Sequence, residues 1–264
     1  AASAVALNVQ AGASHTLSLL EIFLAAALAG MLFALIPALL KVYLNVNEVV
    51  STLLLNFIGE DFVNYLVNGP MKDPSATTNL SASAKFAEEA WLPHLQAFEP
   101  SSANVGAYIA IVLVIAVTFL FYRTTLGHDI KLVGANSEFA RYAGINPKLT
   151  TIKCMCMSGA IAGIIGAIEV TAVQHRLITG FNPDLGFKGI VVSLLAGNNP
   201  IGVVFSGIFF GALKNGGTNM ERMTGVPSAI SSIVEGAIIL VICADFTIRF
   251  VRKKKVAAAG KEEK

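Results

Sequence analysis

Charge is the scarcest resource of this chain. Of its 264 residues, 14% are Asp, Glu, Lys or Arg and 55% are hydrophobic, and the mean hydropathy is +0.67. A soluble domain carries about 25% charged residues, because its surface must be wetted. A chain with so little charge cannot clothe a water-exposed surface of its own size, and so much apolar matter also excludes intrinsic disorder. Cysteine is scarce too: three in all, too few for a disulfide scaffold. Cys154 and Cys156 stand two apart, so on a helix they point about 200° away from each other and can neither pair nor chelate. The histidines, His15, His94, His128 and His175, are scattered without metal-ligand spacing. There is no G-x-x-x-x-G-K-[ST] phosphate loop and no nucleophile elbow. Enzyme chemistry and cofactors are therefore not expected, and a net charge of +2 gives no reason to expect nucleic acid.

What the chain does have is long charge-free runs. A spanning helix needs about 20 mostly apolar residues, since the hydrocarbon is roughly 30 Å thick and each residue rises about 1.5 Å. Ile22 to Leu40, Val105 to Tyr122, Thr151 to Ala172, Ile201 to Leu213 and Pro227 to Ile248 qualify by composition. Val46 to Val67 has the length but contains Glu48, Glu60 and Asp61. Phe187 to Ala196 rises only about 15 Å and ends at Gly197-Asn198-Asn199-Pro200, so it reads as a half-helix that starts inside the membrane. The fold class expected is an all-α integral membrane protein, a polytopic bundle of six to seven membrane segments with one half-helix. Residues 1–264 form a single transmembrane domain in this reading. Gly159-xxx-Gly163 and Gly207-xxx-Gly211 are small-xxx-small patterns that allow helices to approach closely.

Lysine and arginine orient the bundle. The segment 123–150 holds Arg123, Lys131, Arg141 and Lys148, and the tail 249–264 holds a further basic cluster, so both are placed in the cytoplasm. The loop 70–103 has Lys72 and Lys85 against Asp73, Glu88, Glu89 and Glu99, and is placed outside as a solvated connector, with Trp91 near the interface. Within the cytoplasmic segment, Asn136 is an N-cap, Glu138 sits in the first turn and Gly144 suits the stop. Between them lies a helix of barely two turns, with Phe139, Tyr142 and Ala143 on one face and Glu138 and Arg141 elsewhere. Such a helix is unstable alone in water, so it docks either on its own bundle or on a partner.

The runs GANSEFARYAGIN, SGAIAGIIGAIEV, HRLITGFNPDLGFKGI and GVPSAI, with NEVVSTLLLNF and NYLVNGPMKDP upstream, resemble the permease subunits of bacterial ABC importers. Within the ribose and branched-chain amino-acid permease class they are most similar to the nucleoside and simple-sugar branch. The likeness runs from about Leu28 to Asp245. It implies a bacterial inner-membrane, multi-pass protein with a cytoplasmic C-terminus, and N-terminal spans that family members carry and this chain is expected to lack. It implies that the short cytoplasmic helix couples to a separate ATP-binding subunit through Gly134, Asn136, Glu138, Phe139, Ala140, Arg141, Tyr142 and Gly144. The other implied partners are a second permease, identical or different, a substrate-binding lipoprotein and the lipid bilayer. The solute expected is a nucleoside or related neutral molecule, with a simple sugar or amino acid as the alternative.

Polar groups in apolar segments mark the path, because ionisable side chains in spans face pathways or one another. Asn56, Glu60, Glu169, Gln174, His175, Phe181, Asn182 and Phe187 are the candidates. Glu169 either lines the path or pairs with Arg176. A function of another class, a stand-alone secondary transporter or channel, would use Glu60, Asp61, Glu169 and Glu235 as cation or proton sites.

Overall fold

The computed structural model describes residues 1–8, 15–72, 82–93, 104–178, 180 and 185–224, with isolated positions between 230 and 241. The described residues form helices and turns; two isolated β-bridges, Lys72 with Ser83 and Ala82 with Ile178, replace any strand among them. The chain divides into two compact units, 1–181 and 182–264.

In the first unit a short α1 (Ala2–Asn8) precedes α2 (His15–Leu44), α3 (Glu48–Asn68), α4 (Gly106–Arg123), α5 (Thr125–Ala135), α6 (Ser137–Tyr142) and α7 (Pro147–Ile168). α2, α4 and α7, the last with the turn that follows it, are long and apolar enough to cross a membrane. The expected charge-free runs Ile22 to Leu40, Val105 to Tyr122 and Thr151 to Ala172 thus fall on helices, and α2 outgrows its run at both ends. α3 reaches about 31 Å from its 21 residues but its carboxylates lower its hydropathy. Contacts fix the directions. The start of α2 meets the outer loop, where the His15 ring and the Trp91 carbonyl are 3.0 Å apart, and Lys148 at the start of α7 lies 5.8 Å from the ring of Tyr43 at the end of α2. Gly106, opening α4, abuts Ile168 at the far end of α7. α2 and α4 therefore run one way, α3 and α7 the other, and Lys41, Arg123, Lys131, Arg141, Lys148 and Lys153 gather at one end.

α2 and α7 form the central seam. A methyl added to Gly30 would run into the Gly159 carbonyl oxygen and come within 3.1 Å of the Gly163 Cα. One on Gly163 would strike the Ala26 carbonyl, and one on Gly159 would strike the Ala34 side chain. Ala26, Gly30 and Ala34 on α2 thus face Gly159 and Gly163 on α7, both sets at four-residue spacing, so backbones touch without intervening side chains. The pattern at Gly159 and Gly163 does what was expected of it. At Gly207 and Gly211 nothing among the described residues lies within 4 Å of a Cβ, and the segments after Thr224 that could pack there lie outside the described residues.

The outer loop departs from the expected solvated connector. Phe86, Ala90 and Leu92 are buried, in or beside a core formed with Ile22, Val67, Ala167, Val170 and Leu177. The Leu92 N–H donates to the Thr171 carbonyl (3.1 Å), the Phe86 N–H to the His175 carbonyl (3.1 Å), and the Ser83 N–H to the Leu177 carbonyl (2.9 Å). Beyond Ile168, α7 widens into a π turn, Glu169–Gln174, closed by His175 in the left-handed region (φ 53°).

The second unit contributes α8 (Leu185–Leu195) and α9 (Pro200–Thr224). α8 is the expected half-length helix. The break after it is built as its residues demand: Gly197 and Asn198 take positive φ, and the Asn199 side chain caps α9 by accepting from the Ile201 N–H at 3.0 Å. α9 overruns the expected stop at Leu213 and continues through Lys214 to Thr224. The expected span Pro227 to Ile248, Glu235 within it and the basic tail 249–264 lie outside the described residues apart from the isolated helical positions near 230–241.

Candidate functional site

Two features stand out, one at the basic end and one part-way along the helices. At the basic end, Asn136 is extended (φ −159°, ψ 108°) and its side chain accepts from the backbone N–H groups of Glu138 (3.0 Å) and Phe139 (3.1 Å). Glu138 in the first turn and Arg141 in the last suit the helix dipole. Gly144 (φ 82°) turns the chain out, and the Ile145 N–H closes on the Ala140 carbonyl at 3.0 Å. The caps read from the sequence are present. Ala140 is fully buried and anchors α6 to its own unit, whereas Phe139 is 58% and Tyr142 89% exposed. The stripe of Phe139, Tyr142 and Ala143 therefore points away from the described residues of its own unit. An open recess of about 770 Å3, lined by Asn45, Glu138, Arg141, Asn146 and Lys148, flanks it.

We expect Asn136→Ala to leave two N–H groups uncapped and cost α6 about 1 kcal/mol. Hydrogen exchange of the Glu138 and Phe139 amides should accelerate about fivefold, and Asn136→Asp should restore protection.

Part-way along these helices, α2, α3 and α7 line an open, mainly apolar cavity of about 330 Å3, in which Thr52, Asn56 and Ser158 are exposed. Phe33 and Pro37 come from α2, Thr52, Leu55 and Asn56 from α3, and Met155, Ser158 and Ala162 from α7, with Gly30, Gly159 and Gly163 alongside. Of the path residues read from the sequence, Asn56 lies here. Glu60 is one turn further along α3 and exposed. Glu169 and Gln174 belong to the π turn about three turns beyond Ser158. His175 stacks on Trp91, ring centroids 4.3 Å apart. Phe187 is on α8 in the other unit, and Phe181 and Asn182 lie outside the described residues. Phe33, Thr52 and Ser158 were not foreseen. The Thr52–Asn56 spacing, one turn on α3, is the signal that could have found the second of these.

Apolar spans of alternating direction around a bare-backbone seam, with a capped helix presented at the basic end, define a multi-pass membrane protein. Residues 1–243 match the family described as branched-chain amino acid transport system / permease component, and the chain belongs to that family. The match reaches residue 1, further than the likeness expected from Leu28. The chain is similar to the glucose ABC transporter permease protein of Haloferax volcanii, 34% identical over 263 residues that cover 97% of this chain and 67% of that one. It is also similar to the guanosine ABC transporter permease protein of Bacillus subtilis, 32% over 230 residues (87% and 66%), and to the nucleoside ABC transporter permease protein NupB of Lactococcus lactis, 32% over 241 residues (88% and 65%). The chain thus spans about two thirds of the length of these relatives. No solved structure matches it.

Proposed function

We propose that this chain is the transmembrane permease subunit of an ATP-driven importer, acting by alternating access on a nucleoside or a related neutral solute such as a sugar. The observation that carries the coupling role is the exposed aromatic pair Phe139 and Tyr142 on a helix that is capped at both ends and pinned by Ala140. A two-turn helix with its apolar stripe in water is costly unless a groove receives it. An ATP-binding subunit would be that partner, hydrolysing ATP on its own chain. Gly134, Asn136, Glu138, Arg141 and Gly144 shape and orient the helix. The second permease, the substrate-binding lipoprotein, the bacterial inner membrane and a cytoplasmic C-terminus belong to the same proposal. The relatives' solutes, guanosine, nucleosides and glucose, are all neutral, and so is the cavity lining. A proton-coupled carrier fits less well, because Glu60 and Asp61 lie outside that lining.

A cysteine placed at Tyr142 in native membranes tests the coupling role. With a short bifunctional reagent it is expected to crosslink to a co-purifying ATP-hydrolysing subunit, with a yield that changes on adding ATP. Absence of that crosslink in intact membranes would overturn the assignment.

A further inference from the structure

We infer that the cavity between α2, α3 and α7 is a hydrated binding site for a neutral, hydroxyl-bearing solute, held within a single permease chain by Asn56 and Ser158 with the Phe33 ring as an apolar wall. Depth comes first. Asn56 lies eight residues into α3 and Ser158 eleven into α7, about 12 and 17 Å from their basic-end termini, and Ser158 is about 7 Å beyond Lys153 on α7, on the apolar side of the basic residues.

Polar side chains at that depth need partners. Among the described residues, no hydrogen bond ends on the Asn56 amide or the Ser158 hydroxyl. An Asn amide offers two donors and an acceptor, and in a dry bilayer leaving them unmade is expensive. Thr52, one turn before Asn56, spends its proton on the backbone, at 2.8 Å from the Glu48 carbonyl and 3.1 Å from that of Val49. Its remaining lone pairs can only accept. Pro37 has no N–H, so the Phe33 carbonyl loses its helical donor one turn before it, adding an acceptor at the wall of the same cavity.

The chemistry of the occupant follows from this inventory. Among the described residues the lining has no ionisable group, so a charged ligand would lose water there without gaining a counter-charge. Its groups, one amide, two hydroxyls and a freed carbonyl, match a molecule with several hydroxyls. The Phe33 ring, 45% exposed, gives a flat surface for the apolar face of a sugar or base. A volume of about 330 Å3 lies at the small end of ligand pockets, enough for one ring system. A lipid chain would fill the apolar part but leave Asn56 and Ser158 unsatisfied.

The inference rests on the transport reading for its choice of solutes, and the test separates the two. In a background where Cys154, Cys156 and Cys243 are replaced by Ala, Ser158→Cys and Thr52→Cys are reacted in native membranes with a membrane-impermeant thiosulfonate on either side. Val112→Cys, on the exposed face of α4, sets the lipid-facing background. The expected result is labelling above that background, slowed about threefold or more by millimolar guanosine or glucose. Background labelling at both positions would mean a dry groove and overturn the inference. Labelling that neither guanosine nor glucose slows would overturn the solute assignment. In uptake, Asn56→Leu should raise KM about fivefold or more, and an unchanged KM in both Asn56→Leu and Ser158→Ala would also overturn it. Protected labelling without any ATP-driven uptake by the unmutated protein would sink the importer reading and leave the site standing.

Discussion

Removing residues Ser137 to Ala143 is expected to abolish ATP-driven uptake while the protein still reaches the membrane. The segment sits at the basic end, and its contribution to the unit's burial is Ala140. The seam of α2 against α7 does not depend on it. Replacing Phe139 and Tyr142 together by Asp should come close to the deletion, because two aromatic anchors are lost and two charges must be desolvated in the partner's groove. ATP hydrolysis stimulated by solute should fall with uptake, by about 100-fold or more. Arg141→Glu reverses the charge in the last turn of α6 and should act in the same direction with a smaller effect. Uptake that survives the deletion would show that the helix has no part in coupling.

The second large effect is on stability and discriminates between two glycines of one helix. Gly159→Ala puts a methyl against the Ala34 side chain and the Gly30 carbonyl of α2, so the two helices must separate. Gly166→Ala puts the same methyl where nothing among the described residues lies within 4 Å. The first should destabilise by about 1–3 kcal/mol through overpacking. The second should be neutral or stabilise by up to about 1 kcal/mol, since Ala favours a helix interior. Gly30→Ala should behave like Gly159→Ala, and Gly163→Leu should leave little folded protein. Thermal inactivation of detergent-solubilised protein reads the difference. Equal midpoints for Gly159→Ala and Gly166→Ala would mean that the seam does not form.

What could be read in advance follows from the range of the forces involved. α2, α4 and α7 were legible because hydrophobic length is a local property. α6 was legible for the same reason: its start and stop are encoded in Asn136 and Gly144, within a few residues of the helix they bound. Which helix would meet Gly159 and Gly163 was not legible, since the answering set Ala26, Gly30 and Ala34 is one of several small-residue patterns in apolar sequence. The outer loop misled for a related reason. Its Ser- and Ala-rich composition suggests solvent, but Phe86 and Leu92 meet a core that joins Ile22 and Val67 to Ala167, Val170 and Leu177, the last three about 80 positions downstream. α1, at seven residues, is too short to announce itself, and it stands because Ala2 and Ala6 are buried against its neighbours. Of the cavity, Asn56 was visible as a polar residue in an apolar span. Ser158 was not, since serines are unremarkable in spans until something apolar surrounds them.

The tight connection between α2 and α3 constrains how the chain enters the bilayer during synthesis. Only Asn45, Val46 and Asn47 join the two helices, with Asn45 in the left-handed region (φ 56°) and Asn47 capping α3. Three residues reach about 11 Å at most, close to the spacing of two helices in contact. Lys41 and Glu48 close the neck as an ion pair. α3, with Glu60 and Asp61 in its length, therefore cannot leave the translocation machinery far from α2. It partitions as one arm of a hairpin whose other arm is the most hydrophobic helix of the three membrane-length ones. The cost of carrying two carboxylates into lipid is set against the transfer of both helices together, which is how a segment too polar to insert unaided can still become part of the bundle.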